Sequence, residues 1–97
     1  MKVYTGNSDI ELFEHLIEDE QQVVTHLVVK KGQVVPTHHV NQAVIVVPIK
    51  GKISFSDVSS KEMIYPGKII QLAPQEPHAL SAIEDSELMV IKSFLRS

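Results

Sequence analysis

The sequence of 97 residues contains no cysteine and no tryptophan, and only 5% of its residues are aromatic. Without cysteine there are no disulfides, no thiolate nucleophile and no cysteine-ligated zinc, so packing alone must hold the fold. A basic surface is also missing, because the formal net charge is −3 and the lysines and arginines are scattered along the chain. We therefore expect no nucleic-acid partner.

Long hydrophobic runs are absent as well. No stretch approaches the ~18 consecutive apolar residues of a membrane-spanning helix, so we expect no membrane partner. Residues 1–13 lack the apolar core of a secretory signal. These absences predict a soluble, cytoplasmic protein. The chain length predicts one domain covering residues 1–97.

What the sequence does contain is a series of short segments rich in β-branched residues, with turn signals about every ten residues. This pattern is typical of an antiparallel β-sandwich or β-barrel. We therefore predict an all-β fold, a single-domain antiparallel β-barrel or jelly roll of about eight to nine short strands. The predicted strands cover residues 2–5, 12–17, 23–30, 44–50, 53–56, 61–65, 69–72, 78–83 and 87–94.

The segment from residue 8 to residue 17 fits two structures. Ser8 and Glu11 have the spacing of a capping box at the start of a helix. Phe13, His15 and Ile17 instead alternate as one face of a strand. Since a helix here would be short and would lack a C-terminal cap, we favour a strand over residues 12–17.

The most informative stretch is Gly32 to Gly51, which reads GQVVPTHHVNQAVIVVPIKG. Its two adjacent histidines, His38 and His39, precede an apolar run that indicates a buried strand. Pro48 interrupts this run and cannot donate a ladder hydrogen bond. It is therefore expected at an edge, a bulge or a strand end.

The same stretch, 32–51, resembles the first sequence motif of the cupin family. That motif is Gly, five residues, His-x-His, three or four residues, Glu, six residues, Gly. Gly32, His38 and Gly51 stand at the matching positions.

Residues 67–82 resemble the second cupin motif. Gly67 and His78 match the family's glycine and histidine, and Pro77 is a common residue before that histidine. The family's Pro-x-Gly is absent, since Ala73–Gln75 stands in its place. Two motifs in register imply a small single-domain cupin with the RmlC-like jelly-roll barrel over nearly the whole chain.

Cupins that bind a metal hold a divalent ion with three histidines and one glutamate, and this resemblance implies a degenerate version of that site. Only His38 and His78 match the ligands. The second histidine position is Val40, and the glutamate position is Val44, or Ile45 on the longer spacing. An aliphatic side chain has no lone pair, so half of the ligand set is lost.

Two other histidines are candidates to complete a site. His39 would face away from His38 in a regular strand, although a bulge at this point would turn both inward. His26 lies mid-strand and either points into the barrel or is a hydrogen-bonded structural histidine. We name His38, His78 and His39 as candidate ligands for a divalent Zn, Fe, Mn or Ni ion. A catalytic zinc site needs three protein ligands.

These residues are compatible with two functions. In the first, a mostly apolar pocket at the barrel mouth binds a small-molecule ligand, and the protein is non-enzymatic or of unknown activity. In the second, the chain is a metal-dependent cupin enzyme of the dioxygenase, isomerase or decarboxylase type with a reduced histidine site. Fold alone does not decide between them. The predicted pocket residues are His38, Val40, Val44, His78 and His26.

A third interpretation is a structural or oligomerisation module. Small cupins commonly form dimers, and we expect a homodimer here. The segments 23–29 and 44–49 are expected to be apolar sheet edges that are candidates for pairing across a two-fold axis.

Overall fold

Nine β-strands make up the computed structural model, which describes residues 1–94. No helix occurs within this range, so none there is long and apolar enough to cross a membrane. The strands are β1 (Leu12–Glu18), β2 (Gln22–Val29), β3 (Val34–His38), β4 (Ala43–Lys50), β5 (Ile53–Ser56), β6 (Lys61–Ile64), β7 (Ile70–Leu72), β8 (His78–Ala82) and β9 (Ser86–Ser93).

The strands form two antiparallel sheets. One has the order β1-β2-β9-β4-β7 and the other has the order β3-β8-β5-β6. The last strand therefore lies between β2 and β4, and most neighbours in a sheet are far apart in sequence, as in a jelly roll. The predicted all-β, antiparallel jelly-roll fold is confirmed.

A single apolar core joins the two sheets. Strand alternation builds it, because Ile53 and Phe55 of β5 are buried whereas Ser54 and Ser56 between and after them are partly exposed. Burial of this apolar surface is the main stabilising contribution to the fold. The core residues are Val29, Val44, Val46, Ile53, Phe55, Ile64, Leu72, Leu80, Ala82 and Leu88.

Most strand predictions agree with the structure, and the ambiguous segment is strand β1, as favoured. The prediction of a strand over residues 2–5 is wrong, because this segment is exposed and pairs with no strand. Strand β3, which contains Pro36, was not among the predicted strands. The proline is tolerated because β3 is an edge strand that pairs only with β8.

Pro48 lies at a bulge, which is one of its three expected locations. The pairing of β4 with β9 shifts register between Pro48 and Lys50. On its other side β4 pairs with β7 only from Val44 to Val46. Pro48 therefore needs no donor on that side.

The prediction that segments 23–29 and 44–49 form apolar edges is wrong. Strand β2 lies between β1 and β9, and β4 lies between β9 and β7, so both are interior strands. Their periodicity is that of strands with one buried face, which interior and edge strands share. Pairing with a second copy would instead have to use another surface.

Candidate functional site

A cavity of about 220 Å³ lies between the two sheets, next to the core. Its wall is almost entirely aliphatic and aromatic, and three nitrogen-bearing side chains interrupt it. Leu12, Phe13 and His38 are exposed members of the wall, so they mark the opening. The cavity is lined by Leu12, Phe13, Leu27, Val35, His38, Val40, Val44, Val46, Phe55, His78, Leu80, Val90 and Lys92.

His38 and His78 meet at this cavity although they are forty positions apart in sequence. They are paired residues on β3 and β8, and their ring centroids are 4.2 Å apart in an edge-to-face arrangement. A register shift between Val35 and His38 precedes the pair. The bulge therefore ends at His38, before the His38–His39 step where the sequence analysis placed it.

Backbone hydrogen bonds set the tautomer of both rings. His38 Nδ1 is 3.0 Å from the carbonyl oxygen of Pro36, and His78 Nδ1 is 3.0 Å from that of Glu76. A carbonyl oxygen can only accept, so each Nδ1 must carry a hydrogen and donate it. In the neutral form each ring then keeps a free acceptor at Nε2.

His78 is held in its neutral form by its surroundings. It is 8% exposed, and its ring stacks on Phe55 with centroids 5.7 Å apart. Burial lowers the pKa of His78 below its ordinary value, against the opposing effect of the hydrogen bond to Glu76, and the nearby His38 and Lys92 lower it further. The buried ring of the pair is therefore a hydrogen-bond acceptor at neutral pH.

The side chains around this pair do not fit a cupin-type metal site. Val40 and Val44 line the cavity, and neither has a donor atom. His39 follows the end of β3, is exposed and does not line the cavity. Among residues 1–94 no group of three or more His, Cys, Asp or Glu side chains could hold a metal ion.

His26 does not line the cavity, so its predicted place in the pocket is wrong. It lies on the opposite face of β2 from Leu27, a cavity residue, because neighbouring side chains on a strand alternate. The ring is fully buried, and its two nitrogens lie 2.7 Å from carboxylate oxygens of Glu14 and Glu87. The alternative interpretation, a hydrogen-bonded structural histidine, matches this position.

Because carboxylates accept hydrogen bonds, both nitrogens of His26 donate, and the ring is an imidazolium. Burial alone lowers the pKa of His26, but the hydrogen bonds to Glu14 and Glu87 outweigh it and raise the pKa above its ordinary value of 6.5. Gly6 packs directly against the ring, since a Cβ at Gly6 would lie 2.6 Å from His26 Nδ1. The N-terminal segment thus closes over this cluster.

Lys92 lines the cavity but is not among the pocket residues predicted from the sequence. On β9, Leu88, Val90 and Lys92 alternate with residues of the other face, so the lysine belongs to the series that faces the core. This alternation was visible in the sequence. A lysine in register with buried aliphatic positions is the signal that could have identified it.

Comparison with known proteins finds similarity in structure only. A scan of protein-family models found no match, and a search of curated proteins found no relative. Among solved structures, an RmlC-like cupin family protein with a double-stranded β-helix fold from Methanocaldococcus jannaschii superposes with a TM-score of 0.83. It is 23% identical, and the alignment covers 96% of this chain and 90% of that one.

Two further solved structures show the same similarity. An RmlC-like cupin protein from Desulfovibrio desulfuricans has a TM-score of 0.81 at 20% identity, with 96% of each chain covered. The DMSP lyase DddQ from Ruegeria pomeroyi has a TM-score of 0.79 at 16% identity, with 96% of this chain and 53% of the lyase covered. This chain spans about half the length of that lyase. The chain therefore has the fold of the RmlC-like cupin proteins.

Proposed function

We propose that this protein binds a small, mostly apolar molecule in the cavity between its sheets. The supporting observation is an apolar cavity lined by a pair of imidazoles, each held by a hydrogen bond from Nδ1 to a backbone carbonyl. Small-molecule sites combine such walls with a few placed polar groups. A ligand with an O–H or N–H donor is favoured, because the neutral His78 ring offers an acceptor at Nε2 and an acceptor left without a partner on binding costs energy.

Hydroxynaphthamide, a neutral fluorescent probe, tests this function. We expect it to bind, and we expect its fully methylated form, methoxy-N,N-dimethylnaphthamide, which has no O–H or N–H donor, to bind at least about three- to tenfold more weakly, the value of one neutral hydrogen bond. Replacing Val40 by phenylalanine should fill the opening and weaken binding by more than about tenfold. Fluorescence titration measures each affinity.

The matched control is Val58→Phe, the same chemical change at a position that is 82% exposed and does not line this cavity. It should leave probe affinity unchanged. Equal weakening by Val40→Phe and Val58→Phe would place the probe outside the cavity. Absence of any binding would reject the proposal.

A metal-dependent enzyme is the second candidate, because a solved lyase shares the fold. His38 and His78 supply two donors, fewer than the three protein ligands of a catalytic zinc site. We expect protein purified without added metal to retain far less than one equivalent of Zn, Fe, Mn or Ni in elemental analysis. One equivalent of metal that is lost in a His38→Ala/His78→Ala variant would favour the enzyme instead.

A homodimer and a cytoplasmic location stay predictions. Because both predicted edges are interior strands, we propose the outer face of the larger sheet as the surface for a second copy. Ile17, Val24, Ile91 and Ile45 lie side by side across four strands of that face. Light scattering over a dilution series measures whether the dimer forms.

A further inference from the structure

We propose that the ligand of this cavity is a small organic anion, an apolar body bearing a carboxylate, and that Lys92 pairs with its negative charge. The inference rests on the proposed binding function and adds the chemical class of the ligand. It is carried by the position of Lys92, by the charge balance of the cavity wall and by the neutral state of the buried imidazole.

The position of Lys92 follows from the strand register. Lys92 is paired with Val44 on β4, and both side chains line the cavity. Two positions earlier on the same face of β9 is Val90, which also lines the cavity, and before it is Leu88, which is fully buried. The lysine stem therefore continues an apolar row, and the side chain as a whole is half-buried.

The charge of Lys92 has no counterpart in the cavity. None of the described residues that line the cavity is acidic. Within residues 1–94, no carboxylate oxygen lies within 4.0 Å of the Lys92 ammonium, whereas Lys50 and Lys68 each have a glutamate at 3.9 Å and 3.8 Å. Lys92 is thus a cation in an apolar wall without a protein counter-ion.

Glu76 is the acidic residue whose charge raises the pKa of His78, against the larger effect of burial, and its carboxylate is hydrogen-bonded outside the cavity. Its Oε1 accepts a hydrogen bond of 3.0 Å from the backbone nitrogen of Ala73, and Glu76 does not line the cavity. This leaves the wall with one positive charge and two histidine rings. A cavity of one sign with low-dielectric walls concentrates ions of the opposite sign.

Removing a charged group from water is unfavourable unless an opposite charge accompanies it. A carboxylate beside Lys92 would supply that charge, and the aliphatic wall would receive the apolar body. The neutral His78 ring accepts a hydroxyl or amide hydrogen and does not itself attract an anion. The site as a whole therefore fits an apolar molecule with a carboxylate at one end and a hydrogen-bond donor near the imidazoles.

Hydroxynaphthoate and its amide, hydroxynaphthamide, share the ring system and the hydroxyl donor. The amide also has N–H donors, which would favour it at the imidazoles, so tighter binding of the acid reports its charge. At neutral pH the wild-type protein should bind hydroxynaphthoate about tenfold more tightly than the amide. In Lys92→Met this preference should disappear while affinity for the amide changes less than about twofold. Lys92→Arg should keep the preference, and added salt should reduce it in the wild type.

Lys61→Met is the matched control, since Lys61 is exposed on β6 and does not line this cavity. It should leave both affinities unchanged, and loss of the preference there would overturn the assignment to Lys92. Equal wild-type affinities for acid and amide would overturn the anion inference and leave the binding function standing, with Lys92 extending its ammonium into water. Failure of both probes to bind would overturn both proposals.

Discussion

Replacing His26 by alanine should lower the free energy of unfolding by about 3–5 kcal/mol at about pH 6. The imidazolium is fully buried, and both of its nitrogens donate to carboxylates at 2.7 Å. Removing it leaves Glu14 and Glu87 close together without the cation that joins them. Urea denaturation measures the loss, which is a large part of the ~5–15 kcal/mol that stabilises a typical domain.

The loss should depend on pH in a defined way. The pKa of His26 is raised above 6.5, so its contribution to stability is complete below about pH 6.5 and is lost as pH rises through the folded-state value. Glu14 and Glu87 have pKa values lowered from 4.5, so their contribution is complete above about pH 4.5 and is lost as pH falls. The difference between wild type and His26→Ala should therefore peak between these values.

Taking the difference in stability between wild type and His26→Ala cancels the contributions of the other titrating groups. His78 has a lowered pKa, so it stabilises less as pH falls below 6.5, but it does so equally in wild type and variant. His39→Ala is the matched control, since His39 is exposed and has no side-chain hydrogen bond to residues 1–94. A His26→Ala deficit that is constant with pH would show that the ring acts through packing alone.

Replacing Gly51 by alanine should destabilise the protein by about 3 kcal/mol or more. Gly51 has φ of +83°, a conformation that costs an L-residue ~1–2 kcal/mol. A Cβ there would also overlap Ser86 Oγ and the backbone oxygen of Asp85. Ser86 cannot move freely, because it is 2% exposed and its Oγ accepts a hydrogen bond from the backbone nitrogen of Lys52.

Gly32→Ala separates the two causes. Gly32 has nearly the same φ, +86°, but nothing lies within 4 Å of a Cβ at this position. Its replacement should cost about 1–2 kcal/mol, the conformational cost alone. Urea denaturation of both variants gives the cost of the overlap by difference. Equal losses would mean that the turn before β9 yields to the extra methyl group.

The sequence allowed most of the fold to be predicted because its signals are local. The alternation of Ile53, Ser54, Phe55 and Ser56 gave the bounds of β5 directly. The strand predicted over residues 2–5 does not form, because strand propensity does not show whether a partner strand is available. Strand β3 was missed although it forms, because an edge strand that shifts register between Val35 and His38 accommodates Pro36.

The candidate site was predicted in part. His38, Val40 and Val44 were named from the first motif and His78 from the second, and all four line one cavity. The places of the other two histidines were not readable, because they depend on local register. A bulge that ends before His39 leaves it outside, and alternation on β2 turns His26 to the opposite face.

By itself, the amino-acid sequence determined that this chain is all-β, that turn glycines bound its central apolar strand, and that two histidines stand at matching motif positions. These are properties of nearest neighbours and of period-two alternation. Only the tertiary structure decided that the two imidazoles are in contact and that Lys92 lines the same cavity, whose described wall contains no carboxylate. It also decided that His26 lies between two glutamates. Those contacts join residues as many as 61 positions apart, and their geometry depends on how the two sheets pack.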